Sequence, residues 1–266
     1  MCKQGCWAAA ASLGVLGGAH ADQPPDPNDH PDSTWAMRAL AGYSKTGGTT
    51  DTSAANALFH VAHEMGDWKV LLGFDGVYGS THGETTAQAW HARLQGDYNF
   101  TERLYWYTAY RYDDDKFSGF AYQQVLSTGL GYQLIKTDAT KLSLQAGVGR
   151  RWLRPELLTL DEVGGIVSST ELDRESDTVL DAAITFEHSF NSATKLLAGA
   201  GIEEGNLNTM TTANVALQVK MTERLALSAG YQVVRNSKPP PGAVPNATLT
   251  TVNLVYEFKN SKLPPE

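Results

Sequence analysis

The chain has 266 residues, 42 % of them hydrophobic, with a formal charge of −8 and a negative mean hydropathy. That acidic balance argues against nucleic acid and anionic phospholipid headgroups as partners. It leaves membrane residence open, because strands that alternate apolar and polar residues hide their apolarity from any average.

The first 21 residues read as a secretory signal peptide. One cation (Lys3) precedes an apolar segment from Trp7 to Leu16, and Ala19-His20-Ala21 offers a small-residue cleavage site. The apolar segment is too short to span a bilayer as a helix. Both cysteines, Cys2 and Cys6, lie inside it, so the mature chain is expected to have no disulfide, thiolate nucleophile or cysteine-held metal. Removing Lys3 from the 21 cations against 29 Asp and Glu leaves a formal −9. Residues 22–32 (DQPPDPNDHPD) cannot pair in a sheet and read as a flexible leader.

From Ser33 onward, segments of period two follow one another. The clearest are the fifth and sixth. Leu104, Trp106, Thr108, Tyr110 and Tyr112 alternate with Tyr105, Tyr107, Ala109, Arg111 and Asp113. After a polar loop at 113–119, Tyr122, Leu126, Leu130, Tyr132 and Leu134 alternate with Gln123, Ser127, Gly129, Gly131 and Gln133. Strands of about ten residues with aromatics near their ends suit tilted spans of an outer membrane. The pattern predicts twelve strands, with ten to fourteen as bounds: 34–43, 52–64, 68–78, 85–98, the two just named, 141–151, 176–190, 194–203, 210–221, 225–235 and 248–259. Residues 79–84 are expected as a loop, and 152–175 as the longest irregular stretch. Thr-Glu-Arg-Leu recurs at 101–104 and 222–225, which recurring turn chemistry explains as well as duplication does.

Connections after odd strands run longer and those after even strands are tight. That is the signature of an all-β, antiparallel, up-and-down transmembrane β-barrel at residues 33–259, with both termini in the periplasm and a periplasmic tail at 260–266. The last strand, Val252–Phe258, is similar to the C-terminal strand by which outer-membrane proteins meet their assembly machinery.

The chain resembles the domain-of-unknown-function family of salt-induced outer-membrane proteins (YdiY-like). The carriers are Gly48-Thr49-Thr50-Asp51-Thr52, Tyr98-Asn99, Arg103-Leu104-Tyr105-Trp106, Arg111-Tyr112, Asp115 to Phe120, Gly129-Leu130-Gly131-Tyr132, Gly147-Val148-Gly149 and Tyr256-Glu257-Phe258. Thr49 departs from the more usual Asn. The resemblance implies a barrel, an outer-membrane address and a link to salt or osmotic stress. It implies no established activity and no catalytic residues.

The inward register nominates a lumen. Asp75, Arg93, Gln123, Gln145, Asp181, Asn214, Gln218 and Ser228 fall near mid-depth, His91 and Arg111 higher, and Glu187, Lys195, Lys220 and Glu257 at the periplasmic end. Charges in a water-poor interior must pair, so Arg93 and Arg111 are expected to bridge to Asp75 and Asp181. That set fits a selectivity zone or, better, the polar core of a small barrel. Glycines at 129, 131, 147, 149, 199 and 201 share the register and point to curvature or close approach. The acidic stretches at 113–115, 161–162 and 171–177 read as solvated outer loops, with Ca²⁺ or Mg²⁺ bridging of lipopolysaccharide phosphates as the alternative. No catalytic residue, metal ligand or cofactor is expected. The motifs G-x-S-x-G and H-E-x-x-H are missing, and His60, His63, His91 and His188 are scattered. A small passive pore or an envelope-integrity protein in contact with outer-membrane lipid and lipopolysaccharide is the leading reading. An envelope lipid hydrolase and a soluble periplasmic carrier barrel are the rivals.

Overall fold

The computed structural model describes residues 34–46, 51–161, 165–241, 243 and 245–260. The expected signal peptide, the leader and the tail from 261 onward lie outside the described residues. Every described element is a strand: β1 (Thr34–Thr46), β2 (Thr52–Met65), β3 (Trp68–Thr81), β4 (Glu84–Asn99), β5 (Leu104–Asp115), β6 (Phe120–Lys136), β7 (Thr140–Leu160), β8 (Ile166–Glu171), β9 (Glu175–Ser189), β10 (Thr194–Gly205), β11 (Thr209–Lys220), β12 (Leu225–Asn236) and β13 (Asn246–Asn260).

Twelve of these form a closed antiparallel barrel. Strands β1 to β7 pair in sequence order, β7 pairs with β9, and β9 to β13 continue the ring. The ring shuts where β13 lies against β1, from Trp35 opposite Asn260 to Ala41 opposite Leu254. Closure removes the edges of the ring, and an even strand number lets both chain ends meet antiparallel at the same end. The thirteenth strand, β8, pairs only with the overhang of β7.

Alternation assigns the two faces. On β9, Val179 is 0 % exposed and its neighbour Leu180 is 61 % exposed. The same contrast runs around the ring: Leu72, Phe74, Leu94, Leu130, Leu217 and Leu254 stand out, and Tyr107, Arg111, Gln218 and Asn253 turn in. Every one of the twelve ring strands contributes at least one exposed large hydrophobic side chain to this apolar belt, the mark of a membrane or partner surface. Aromatics rim it. At the short-turn end Trp35 stacks on His63 (centroids 4.0 Å apart) and Trp68 meets Tyr98 (5.0 Å). Toward the long-loop end Phe74, Trp90, Tyr112 and Tyr122 form a chain across four strands.

The tight turns share one device. Thr101 Oγ1 accepts from the amides of Arg103 and Leu104, and Thr222 Oγ1 accepts from those of Arg224 and Leu225. Asn191 Oδ1 does the same for Ala193 and Thr194. A side-chain oxygen thus satisfies the amides that the reversing backbone leaves free. Recurring turn chemistry accounts for the Thr-Glu-Arg-Leu echo.

Three expectations are corrected. Residues 79–84 form no loop: β3 reaches Thr81, β4 starts at Glu84, and His82 (φ 53°) and Gly83 (φ 86°) make the two-residue turn between them. Two successive positive φ values match the twist of a hairpin, which offsets the strain at a non-glycine residue. Residues 152–175 are not irregular. Strand β7 continues to Leu160 and β8 folds back on it. Pro155, which argues against a strand when read alone, sits where the neighbour of β7 changes from β9 to β8, so its missing N–H costs no ladder bond. Finally, Asp113 and Asp115 belong to β5 and are buried, not in a solvated loop.

Candidate functional site: a closed lumen

Of the fourteen nominated lumen residues thirteen are buried or half-buried, Lys195 and Glu257 among the latter, and Lys220 at the short-turn rim is exposed. Asp75, His91, Arg111, Gln123, Gln145, Gln218 and Ser228 are buried; Arg93, Asp181, Glu187 and Asn214 are half-buried. The pairing inside differs from the expected one. Arg111 bridges neither Asp75 nor Asp181. Its Nε donates to Asp113 Oδ2 (2.8 Å), and its Nη1 and Nη2 grip both oxygens of Glu203 (2.5 and 2.9 Å). Asp113 lies two residues on along the same strand face and is therefore a carboxylate within direct reach. Glu203 reaches across from β10, so this fork spans the lumen. Asp113 Oδ1 also meets His91 Nδ1 (2.9 Å), and Asp75 is paired in register with His91. Arg93 Nη2 donates to Gln95 Oε1 (2.5 Å), whose Nε2 donates to Asp97 (2.6 Å). The Tyr107 hydroxyl donates to Asp181.

Further clamps close the two ends. At the short-turn end Gln218 accepts from Arg38 Nη2 (3.0 Å) and donates to Glu257 Oε1 (2.8 Å), which also receives Lys195 Nζ (3.1 Å). At the long-loop end Arg151, 0 % exposed, donates through Nε and Nη2 to Asp177 (3.0 and 2.8 Å) and through Nη2 to the Asn208 carbonyl (2.7 Å).

Two tyrosines fill the middle. Tyr105 lies over Gly131, and Tyr107 presses its hydroxyl toward Gly147; a Cβ on either glycine would collide with them. Gln145 Nε2 donates to the Tyr105 hydroxyl (2.9 Å). These glycines are notches for aromatic rings, which is the close approach their register suggests. Val125, Leu153, Val179 and Val255 pack inward as well. Among the described residues, the interior holds small cavities of about 30 Å³ beside Arg93, Tyr107, Asp181 and Glu203 and about 20 Å³ beside His91, Asp115 and Asn236. One water needs about 10–15 Å³, so each holds one or two waters.

Outside the barrel, a groove of about 720 Å³ lies between the β4 start, the β5–β6 loop and the β7–β8 ribbon, lined by Glu84, Asp114, Lys116, Glu156, Asp161 and Glu171 among others. A hydrogen bond that protonated Glu84 donates to the neighbouring Asp161 carboxyl, then the charge of that carboxyl, raises the pKa of Glu84 from its ordinary value. Among the described residues, no group of three or more His, Cys, Asp or Glu side chains is arranged to hold a metal ion.

The sequence reading missed Glu203, Asp113, the Arg151–Asp177 pair and the two plugging tyrosines as lumen groups. The signal was available for most. Extending the inward parity of each strand to its last residue captures Glu203, Asp113 and Arg151. Nothing in parity says which charge pairs with which across the lumen.

In solved structures, similar folds include the translocator domain of autotransporter NalP from Neisseria meningitidis (12 % identity, 92 % of this chain and 92 % of that chain, TM-score 0.48). They also include the NanC porin (12 %, 85 % and 100 %, 0.45) and the KdgM porin (11 %, 84 % and 99 %, 0.41). No curated protein matches the chain. A family model described as "Protein of unknown function, DUF481" matches residues 39–258, most of the barrel, and the chain belongs to that family.

Proposed function

We propose that the chain is a bacterial outer-membrane barrel whose lumen is shut by its own side chains, and that it serves envelope integrity as a closed wall rather than as an open passive pore. The observation that carries this reading is the Arg111–Glu203 fork across the lumen, flanked by Tyr105 and Tyr107. Opening such a path means breaking a buried ion pair, and losing one partner of such a pair costs about 3–5 kcal/mol. Mobile salt screens a buried pair far less than a surface one, so ionic strength alone does not open it.

The membrane address is supported by the outward apolar belt and the aromatic rims. Strands β1 and β13 begin and end at the short-turn end, which we assign to the periplasm. The seam strand β13, containing Val252–Phe258, is the segment offered to the assembly machinery. A soluble carrier barrel would need the opposite arrangement, a polar exterior around an apolar cavity. In planar bilayers, refolded wild-type protein is expected to give no discrete conductance steps even at high load, and E203A is expected to give them. Discrete steps from the wild type at ordinary load would overturn the closed-lumen reading in favour of a pore.

A further inference from the structure

The chain as a whole is acidic, yet one lipid-facing patch gathers three arginines, with the exposed carboxylates Glu171, Asp173 and Glu175 at its border. On the outward face of β7, Arg150, Trp152 and Arg154 occupy alternate positions, and Arg174 follows just before β9. Four residues of strand separate Arg150 from Arg154, about 13 Å. The aromatic rings act as platforms: the Arg154 guanidinium lies 6.0 Å from the centre of Tyr122, and that of Arg174 lies 5.9 Å from the centre of Trp152. Arg154 is neutralised by Glu171 (2.7 Å), but Arg150 donates only to hydroxyls, Ser176 Oγ at 2.6 Å and Thr178 Oγ1 at 3.5 Å. Two residues toward the periplasmic end, Val148 is paired with Leu180, and both are exposed in the apolar belt. The patch therefore lies where hydrocarbon gives way to headgroups, at the long-loop end.

Net charge does not govern recognition there, since a headgroup senses the charges within a Debye length, about 8 Å. A guanidinium held over a ring at the hydrocarbon boundary, with donors left over, is suited to a phosphate oxygen pair. We infer that Arg174, carried on the Trp152 platform, and Arg150, held by the Ser176 and Thr178 hydroxyls, bind the phosphate of a phosphorylated glycolipid in the outer leaflet. This rests on the outer-membrane orientation given above. It also replaces the expectation that anionic headgroups are excluded with a local exception on one side of the barrel.

The test uses the full chain folded in detergent micelles, with bisphosphorylated lipid A as probe, and follows Trp fluorescence and the thermal unfolding midpoint. Lipid A is expected to raise the midpoint, and R150Q/R174Q to weaken its apparent affinity by about tenfold or more. Lipid A stripped of phosphate should have no such effect, and R103Q/R224Q, at the opposite rim, should behave as wild type. Equal stabilisation by the dephosphorylated lipid, or an unchanged R150Q/R174Q, would overturn the inference. Inorganic phosphate saturating the effect at the same concentration would assign the site to a free anion and overturn the lipid. Failure of the membrane reading is distinguishable: the folded protein would then not partition into lipid vesicles at all.

Discussion

The lumen and the β7–β8 ribbon are built from the same kind of strand and differ in what surrounds them. In the barrel, each residue of β7 up to Leu153 faces either hydrocarbon or a crowded interior, so its exposure alternates sharply. Past Pro155 the same strand leaves the ring and pairs with β8, whose side chains from Val167 to Glu171 are all exposed. Two solvents on two faces make a pattern; one solvent on both faces erases it. Stability should follow the same division, concentrated in the lumen and scarce in the ribbon.

The sharpest way to break that comparison is to remove one member of the central fork. R111A or E203A should lower unfolding stability by about 3–5 kcal/mol in denaturant titrations from lipid vesicles, because the remaining charge is stranded in the interior. A loss under 1 kcal/mol would mean that water reaches the pair. The next largest effect is expected at the tyrosine notch. In G147A the new methyl meets the Tyr107 hydroxyl and the Thr128 carbonyl, so about 1–3 kcal/mol should be lost to overpacking. On the ribbon, V167D should change the same titration by no more than about 0.5 kcal/mol, since Val167 is exposed.

The smallest effect concerns pH. The raised pKa of Glu84 means that its tie to Asp161 is complete in acid and is lost as pH rises through the shifted value. Amide exchange at Gly165, whose N–H donates to Asp161 Oδ1 (2.7 Å), should lose protection over that rise after correction for the intrinsic rate. E84Q should remove the dependence. A pH-independent Gly165 in the wild type would contradict it.

This contrast also explains what the sequence made legible. The number of ring strands, the face of Leu72 or Leu180, and the inward turn of thirteen of the fourteen nominated polar residues follow from period two alone. The ribbon escaped notice because Pro155 breaks the pattern and Leu158 is the one buried large apolar side chain among the described residues from Leu157 to Glu171. Asp113 and Asp115 passed for loop residues because a run of aspartates suits a turn; parity with Arg111 places two of the three inside. The Arg111–Glu203 fork was beyond reach for a different reason. Its members are far apart along the chain and meet only because the ring closes, so no local spacing encodes the contact.

The central claim, that the lumen is closed to water-borne solutes, is tested most directly by labelling Ala109, a buried residue beside Arg93 and Glu203. In a background where Cys2 and Cys6 are replaced by serine, A109C protein in vesicles is treated with a membrane-impermeant thiol reagent. The account predicts no reaction over the time in which S168C on the ribbon reacts fully, and reaction once E203A is added. Labelling of A109C in the otherwise wild-type lumen as fast as S168C would contradict it.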